Sequence, residues 1–303
     1  MSARRHAGPA RIVLIDKPEG PTSFDAVRAV RRLLGVRRVG HGGTLDPFAT
    51  GLLVLGIGPA TRLLNLVVAG RKTYRARARF GQETDSGDPT GVVVEESGLP
   101  PDSEQIAAAA RSFLGTIEQV PPRHSALKIE GRRAYDRVRA GEDFEVPSRR
   151  VTVDTFDLLS FDPPFADFEI RCSAGTYVRS LARDLGRAMG SAAHLVALRR
   201  TAIGALSVDE AVGLDTIESA HAAGRLLRSP VELARDWPQV HLDDEDARRI
   251  RHGDQPPPAW SEGTGGAPYV ALVDVTGELV AVAVRRDDGS LRLAVVLPAE
   301  VTA

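Results

Sequence analysis

In RKTYRARARF, residues 71–80, arginines and apolar residues alternate. A period of two puts Arg71, Arg75, Arg77 and Arg79 on one side of an extended chain and Tyr74, Ala76, Ala78 and Phe80 on the other. Such a segment folds stably only as a strand with one face covered, so the chain must build a sheet and supply something to pack on it. Further strand-like stretches fall at 11–15, 91–95, 151–159 and 167–173, and helical spacing at 22–34, 103–114, 179–189 and 229–236. The pattern predicts a mixed α and β fold without internal repeats.

Two of the predicted helices carry basic faces of their own. Thr22 and Asp25 form a capping-box pattern, Val27, Val30 and Leu34 follow at helical spacing, and Gly35 ends the run. Arg28, Arg31 and Arg32 lie off that apolar stripe, with Arg37 and Arg38 just beyond. In RSLARDLGRAMG, Arg179, Arg183 and Arg187 align at i, i+4 and i+8, opposite Leu181, Leu185 and Met189. With the strand, that makes three arginine faces. The formal net charge of -1 conceals the imbalance: residues 1–207 carry 30 Lys+Arg against 23 Asp+Glu, and residues 208–303 carry 9 against 17. A basic body of this kind fits a polyanionic partner, and the three faces favour nucleic acid.

No apolar run approaches the roughly 20 residues of a membrane helix. The basic start, MSARRHAGPA, leads only to the four apolar residues Ile12 to Ile15, which places the chain in the cytoplasm. Cys172 is the single cysteine, and no CxxC, HExxH or EF-hand spacing occurs, so neither a disulfide nor a structural metal is expected. Residues 121–150 open with Pro-Pro, are basic and lack apolar periodicity, as a long excursion from the core would. After the acidic run HLDDEDARRIRHGDQPPP, strand-like stretches at 268–275, 278–286 and 291–297, the first two joined by Thr276-Gly277, read as a small β domain that begins near residue 238.

Two short motifs have competing readings. GIGPAT, 56–61, echoes a phosphate loop but lacks its lysine, and Pro59 removes a backbone donor. SALK, 125–128, fits the S-x-x-K of serine acyl-transfer enzymes, yet no Ser-Asp-Asn follows. A third stretch, HGGTLDPFATGLLVLGIG at 41–58, holds one carboxylate, Asp46, among glycine, threonine and apolar residues. An Asp-Pro pair in such surroundings builds a turn or presents a lone acid.

LIDKPEGPTSFDAVRAVRR, GHGGTLDPFATGLLVLGIGPATRLL, KTYRARARFGQETDSGDPTG, PPRHSALKIEGRRAYDRVRAGE, CSAGTYVRSLARDLG and AHLVALRRTAIG occur in an order that resembles the TruB family of bacterial tRNA pseudouridine-55 synthases, over most of residues 11–207. The resemblance implies an α+β catalytic domain over 1–237, on a mixed, mainly antiparallel sheet with flanking helices. It also implies a thumb-like insertion at about 121–150 that closes over the T arm, and a PUA-like domain over 238–303. The implied reaction turns uridine into pseudouridine in tRNA without a cofactor, in a monomer with no obligatory protein partner.

Residue by residue, the resemblance makes Asp46 the essential acid, with Arg179 as its guanidinium partner, and Tyr74 the aromatic that stacks on the uracil. His41 would fill the gap left by the flipped base. Tyr177 and Leu198 would line the pocket, and Lys17 would either contact RNA or support the site. An RNA-guided synthase subunit shares these blocks, but the thumb-like segment argues for a stand-alone enzyme. A non-catalytic tRNA-folding factor is the other alternative, and the Asp46, Tyr74 and Arg179 set argues against that being the whole role.

Overall fold

The computed structural model describes residues 9–100, 102–125, 127–129 and 131–299. Two compact units emerge, one from Met1–Asp46, Gly51–Val68 and Gly204–Ala303, the other from Pro47–Thr50 and Ala69–Ile203. The expected mixture of α and β, with mainly antiparallel pairing, is what the chain forms.

In the first unit the strand Arg11–Lys17 runs antiparallel to Thr50–Ile57, from Arg11 opposite Ile57 to Lys17 opposite Gly51. The other edge of Thr50–Ile57 takes the short strand Val39–His41. Leu52, Leu53, Val54 and Leu55 are all sealed from water, because both faces of this strand are covered. A doubly buried strand is apolar throughout and lacks the alternation that marks a one-sided one, so the sequence did not distinguish it. GIGPAT closes its end: a side chain at Gly56 would stand 2.9 Å from the Ala60 carbonyl oxygen, and the 3-10 turn Gly58–Leu63 follows. Its glycine thus serves packing.

The helix Ser23–Leu34 begins as the spacing predicts. The Thr22 hydroxyl accepts from the Asp25 N–H, the Asp25 carboxylate accepts from the Thr22 N–H, and Gly35 ends the helix at φ 65°. The predicted helix at 229–236 is instead a 3-10 turn, Pro230–Ala234. Also within this unit, Gln239–His241, Tyr269–Val273, Leu279–Arg285 and Leu291–Val296 form a four-stranded sheet in that order. Ala247 and Ile250 of the helix Asp244–His252 pack on Val270, Leu272 and Val280. At the Thr276-Gly277 turn the Asp274 carboxylate accepts from the Thr276 and Glu278 N–H groups, and Gly277 adopts φ 80°.

The second unit holds an antiparallel sheet in the order Ala193–Ile203, Lys72–Phe80, Phe165–Cys172, Arg149–Asp162, Gly115–Gln119. Lys72, Tyr74, Ala76, Ala78 and Phe80 are buried, and opposite them stand the buried Cys172, Ile170, Phe168 and Ala166. The helices Val178–Ala188 and Ser103–Arg111 pack on this sheet through Leu181 and Leu185 and through Ile106 and Ala110.

Two of the three arginine faces are not the open basic surfaces that periodicity suggests. On the strand, Arg77 pairs with Asp167 at 3.3 Å, Arg75 with Glu169 at 4.0 Å and Arg71 with Asp154 at 3.2 Å. On the helix, Arg187 makes a two-pronged bond to Glu83 at 2.9 and 2.6 Å, Arg183 bonds Asp184 and the Val120 carbonyl, and Arg179 is buried. Except for Asp184, which adjoins Arg183 on the same helix, the matching acids lie on other elements, out of reach of any local pattern. Within the segment 121–150 lie a hairpin at Lys128–Ile129 and Arg132–Arg133 and a helix Ala134–Arg139, and its last two residues open the strand Arg149–Asp162. Arg123 and Arg137 bracket the Phe144 ring at 4.8 and 4.6 Å, and Arg137 also bonds Glu142.

Candidate active site

In the first unit the segment after His41 is built to hold one residue still. The Gly42 N–H donates to the Val54 carbonyl at 2.8 Å, and a side chain at Gly42 would meet Val67 Cγ1 at 2.6 Å. Gly43 takes φ 111°, where a side chain would be strained. The buried Ser23 hydroxyl then accepts from the Leu45 N–H at 2.8 Å and donates to the Leu45 carbonyl at 3.1 Å. Leu45 is buried and Asp46, next along the chain, is half-buried. Both polar groups of the preceding residue are thereby satisfied by one side chain from the first helix, which fixes the backbone that carries the acid.

Lys17 and His41 flank the same strand, opposite Gly51 and Leu55. The Lys17 side chain is fully buried and its ammonium donates to the Pro18 and Pro21 carbonyls at 2.7 and 2.8 Å. These bonds hold the Pro18–Pro21 loop that leads into the Thr22 cap. His41 is half-buried at the strand end.

In the second unit Tyr74 sits on a central strand between Ile170 and Arg200, buried, and Leu198 lies opposite Ala76 on the same face. Lys72 shares that face opposite Cys172. Burial, with Arg200 nearby, pushes the Lys72 ammonium down to about 8, and burial pushes the Cys172 thiol up to about 11.

Tyr177 caps the helix Val178–Ala188 without a side-chain hydrogen bond of its own. Gln119, fully buried, substitutes: its Oε1 accepts from the Tyr177 N–H at 2.8 Å and its Nε2 donates to the Tyr177 carbonyl at 3.1 Å. The Arg149 guanidinium lies 4.9 Å over the Tyr177 ring. Two residues on, Arg179 Nη1 donates to Asp88 Oδ2 at 3.0 Å and to the Ser86 carbonyl at 2.8 Å, while Nη2 donates to the His124 carbonyl at 2.9 Å. Asp88 Oδ1 in turn accepts from the Ser86 hydroxyl and from the N–H and hydroxyl of Thr90. Arg179 therefore joins the 86–90 turn to the start of the excursion, and within this unit its acidic partner is Asp88.

Sequence reading missed Ser23, Asp88 and Gln119. Only Asp88 left a local signal, the Asp-Pro-Thr-Gly turn in DSGDPTG; the other two act across 22 and 58 positions of chain. Ser125 of SALK is buried, whereas the Lys128 side chain lies outside the described residues. Among the described residues no cluster of His, Cys, Asp and Glu could hold a metal ion, and no helix is long and apolar enough to cross a membrane.

The model of the TruB family pseudouridylate synthase N-terminal domain matches residues 31–178, and that of the tRNA pseudouridylate synthase B C-terminal domain matches 179–232. The chain is 42% identical over 288 residues to the tRNA pseudouridine synthase B of Thermobifida fusca, covering 92% of this chain and 96% of that one. With the protein of the same name from Leifsonia xyli it shares 44% over 281 residues, 89% and 90% of the two chains. A solved H/ACA ribonucleoprotein bound to a substrate RNA containing 2'-deoxyuridine has the same fold, with a TM-score of 0.71 at 22% identity over 95% of this chain and 85% of that one. With its lone acid pinned between glycines and the first helix, and relatives matched over nearly their whole length, the chain belongs to the TruB family of pseudouridylate synthases.

Proposed function

We propose that the protein isomerises uridine to pseudouridine at position 55 in the T arm of tRNA, with Asp46 as the essential residue. The N1–C1' bond breaks, the uracil turns, and C5 bonds to the same C1'. The C5 proton then leaves and N1 gains one, so atoms and electrons balance with no cofactor. Asp46 can stabilise positive character at C1', attack it, or remove a sugar proton; each role needs an ionised acid held beside the sugar. The observation that carries the reading is the Ser23 clamp on Leu45, which fixes the backbone of a half-buried carboxylate in a segment with no other acid.

In this reading Tyr74 stacks on the uracil and serves the C5 proton, Arg179 favours the ionised Asp46, and Tyr177 and Leu198 line the pocket. His41 fills the stack the base has left, at an extrusion cost of a few kcal/mol that tRNA contacts must offset. The excursion at 121–150 acts as a thumb over the T arm, and residues 238–303 as a PUA-like RNA-binding domain. The enzyme works alone, as a cytoplasmic monomer, and also assists tRNA folding. Tritium release from unmodified tRNA carrying 5-³H-uridine tests this. Wild type should release tritium from position 55 and Asp46→Asn should not; a folded wild type that binds tRNA without release would refute the stand-alone reading.

A further inference from the structure

The helix Ser23–Leu34 turns a second face to solvent. Phe24, Arg28, Arg31 and Arg32 fall at i, i+4, i+7 and i+8, one stripe of the helix, while Ser23, Ala26, Val27 and Val30 occupy the buried side. Phe24 is 52% exposed, and the Arg28 and Arg31 guanidinium carbons lie 5.8 and 5.5 Å from its ring centroid. Neither arginine swings freely: Arg28 is tied to Asp25, and Arg31 Nη2 donates to the Val39 carbonyl at 2.7 Å. Arg32 and Arg37 are exposed and meet no acid among the described residues. Asp25, which also caps the helix, is the sole acid from 23 to 38, against five arginines.

Among the described residues, six of the seven arginines on the two other faces meet an acid, whereas here Arg28 alone does, on Asp25. A half-exposed aromatic ring with two guanidinium groups held over it suits a base π-face on its open side, and cations farther along suit phosphates. Its position matters as well. Ser23, which precedes Phe24, is the residue that holds Leu45 and hence the backbone of Asp46, so the exposed ring and the acid are carried by segments bonded to each other.

Resting on the reading of the chain as a tRNA-modifying enzyme, we propose that Phe24, together with the Arg28 and Arg31 guanidinium groups over its ring, stacks on an unpaired base of the substrate RNA other than the uridine being isomerised, while Arg32 and Arg37 take adjoining phosphates.

The test uses the full-length protein with Phe24→Ala, Phe24→Trp and the double variant Arg32→Gln/Arg37→Gln. With unmodified tRNA, Phe24→Ala should raise KM about tenfold with kcat unchanged, and Phe24→Trp should restore it. The double variant should flatten the slope of log affinity against log salt by about one to two. Indole emission of Phe24→Trp should be quenched by tRNA beyond any change shown by wild type, whose tryptophans are Trp237 and Trp260. Wild-type turnover with an unaltered KM in Phe24→Ala, or no extra quenching in Phe24→Trp, would overturn the platform and leave the activity standing. If wild type fails to turn over, a single-stranded oligouridylate replaces tRNA: weaker binding by Phe24→Ala upholds the platform without the activity, and equal or absent binding refutes it.

Discussion

Arg179 and Asp88 meet at 3.0 Å with side chains only 5% and 7% exposed. Removing one partner of such a buried pair takes away a charge that the other was buried to meet. Asp88→Asn should therefore lower stability by about 3–5 kcal/mol. Because Arg179 also ties the 86–90 turn to His124, kcat for tritium release should fall by about a hundredfold with KM little changed. Denaturant midpoints and kinetics on the same preparations separate the effects. A kcat loss no larger than the unfolded fraction would show that Asp88 does not position Arg179.

Ser23 is tested through Leu45 rather than through Asp46. In Ser23→Ala the Leu45 N–H and carbonyl lose their shared partner, at about 1–3 kcal/mol for buried groups left unsatisfied. Amide exchange at Leu45 should quicken, and kcat should drop about tenfold or more through misplacement of the acid. Unchanged exchange at Leu45 with full activity would remove the clamp from the account.

Lys72 and Cys172 write opposite signs into the pH dependence of stability. The folded ammonium titrates near 8, below its ordinary 10.5, so between those values the unfolded chain binds more protons and stability rises with pH. The thiol titrates near 11 instead of 9.0, so between those values the folded chain binds more and stability falls. Wild type should gain on the order of 1 kcal/mol from about pH 8 to 9, hold level while the two offset, then decline above 10.5. Lys72→Met should abolish the rise and Cys172→Ala should extend it to about 10.5. Urea midpoints across this range decide it, and parallel profiles for all three proteins would contradict it.

The segment 121–150 is joined to the rest of its unit near its start by Arg179 to the His124 carbonyl and a 3.8 Å pairing of His124 with Asp85, and at its end by Ser148 and Arg150 to Glu118. Amides over 124–148 should exchange readily in the free protein and slow at least several-fold with a T-arm hairpin. Equally slow exchange in both states would argue against a closing thumb.

How much of this was legible in the sequence depended on the range of the interaction. The capping box of Thr22 and Asp25, the Gly35 stop, the burial pattern of residues 71–80 and the Thr276-Gly277 turn are decided within a few residues, and local spacing gave each correctly. The strand Thr50–Ile57 was not distinguished because full burial erases alternation. The arginine faces misled because Asp167, Glu169 and Glu83 come from distant elements. Replacing Arg77 with Gln should accordingly change tRNA affinity by less than about twofold and stability by at most about 1 kcal/mol, since its partner is a half-exposed acid. In the site, the family blocks pointed to Asp46, Tyr74 and Arg179, while Ser23 and Gln119 act through backbone groups that leave no trace in residue identity.

The contact between Gly42 and Val67 ties two positions into one evolutionary choice. A methyl at 42 would lie 2.6 Å from Val67 Cγ1 and 2.8 Å from its Cβ, so trimming 67 to alanine still leaves a clash and only glycine there clears both. A change at 42 alone overpacks the contact and a change to glycine at 67 alone hollows it, so a side chain at 42 has room only after 67 has lost its own. The loop that carries Asp46 is thus shielded from gradual change by a residue that never touches the chemistry.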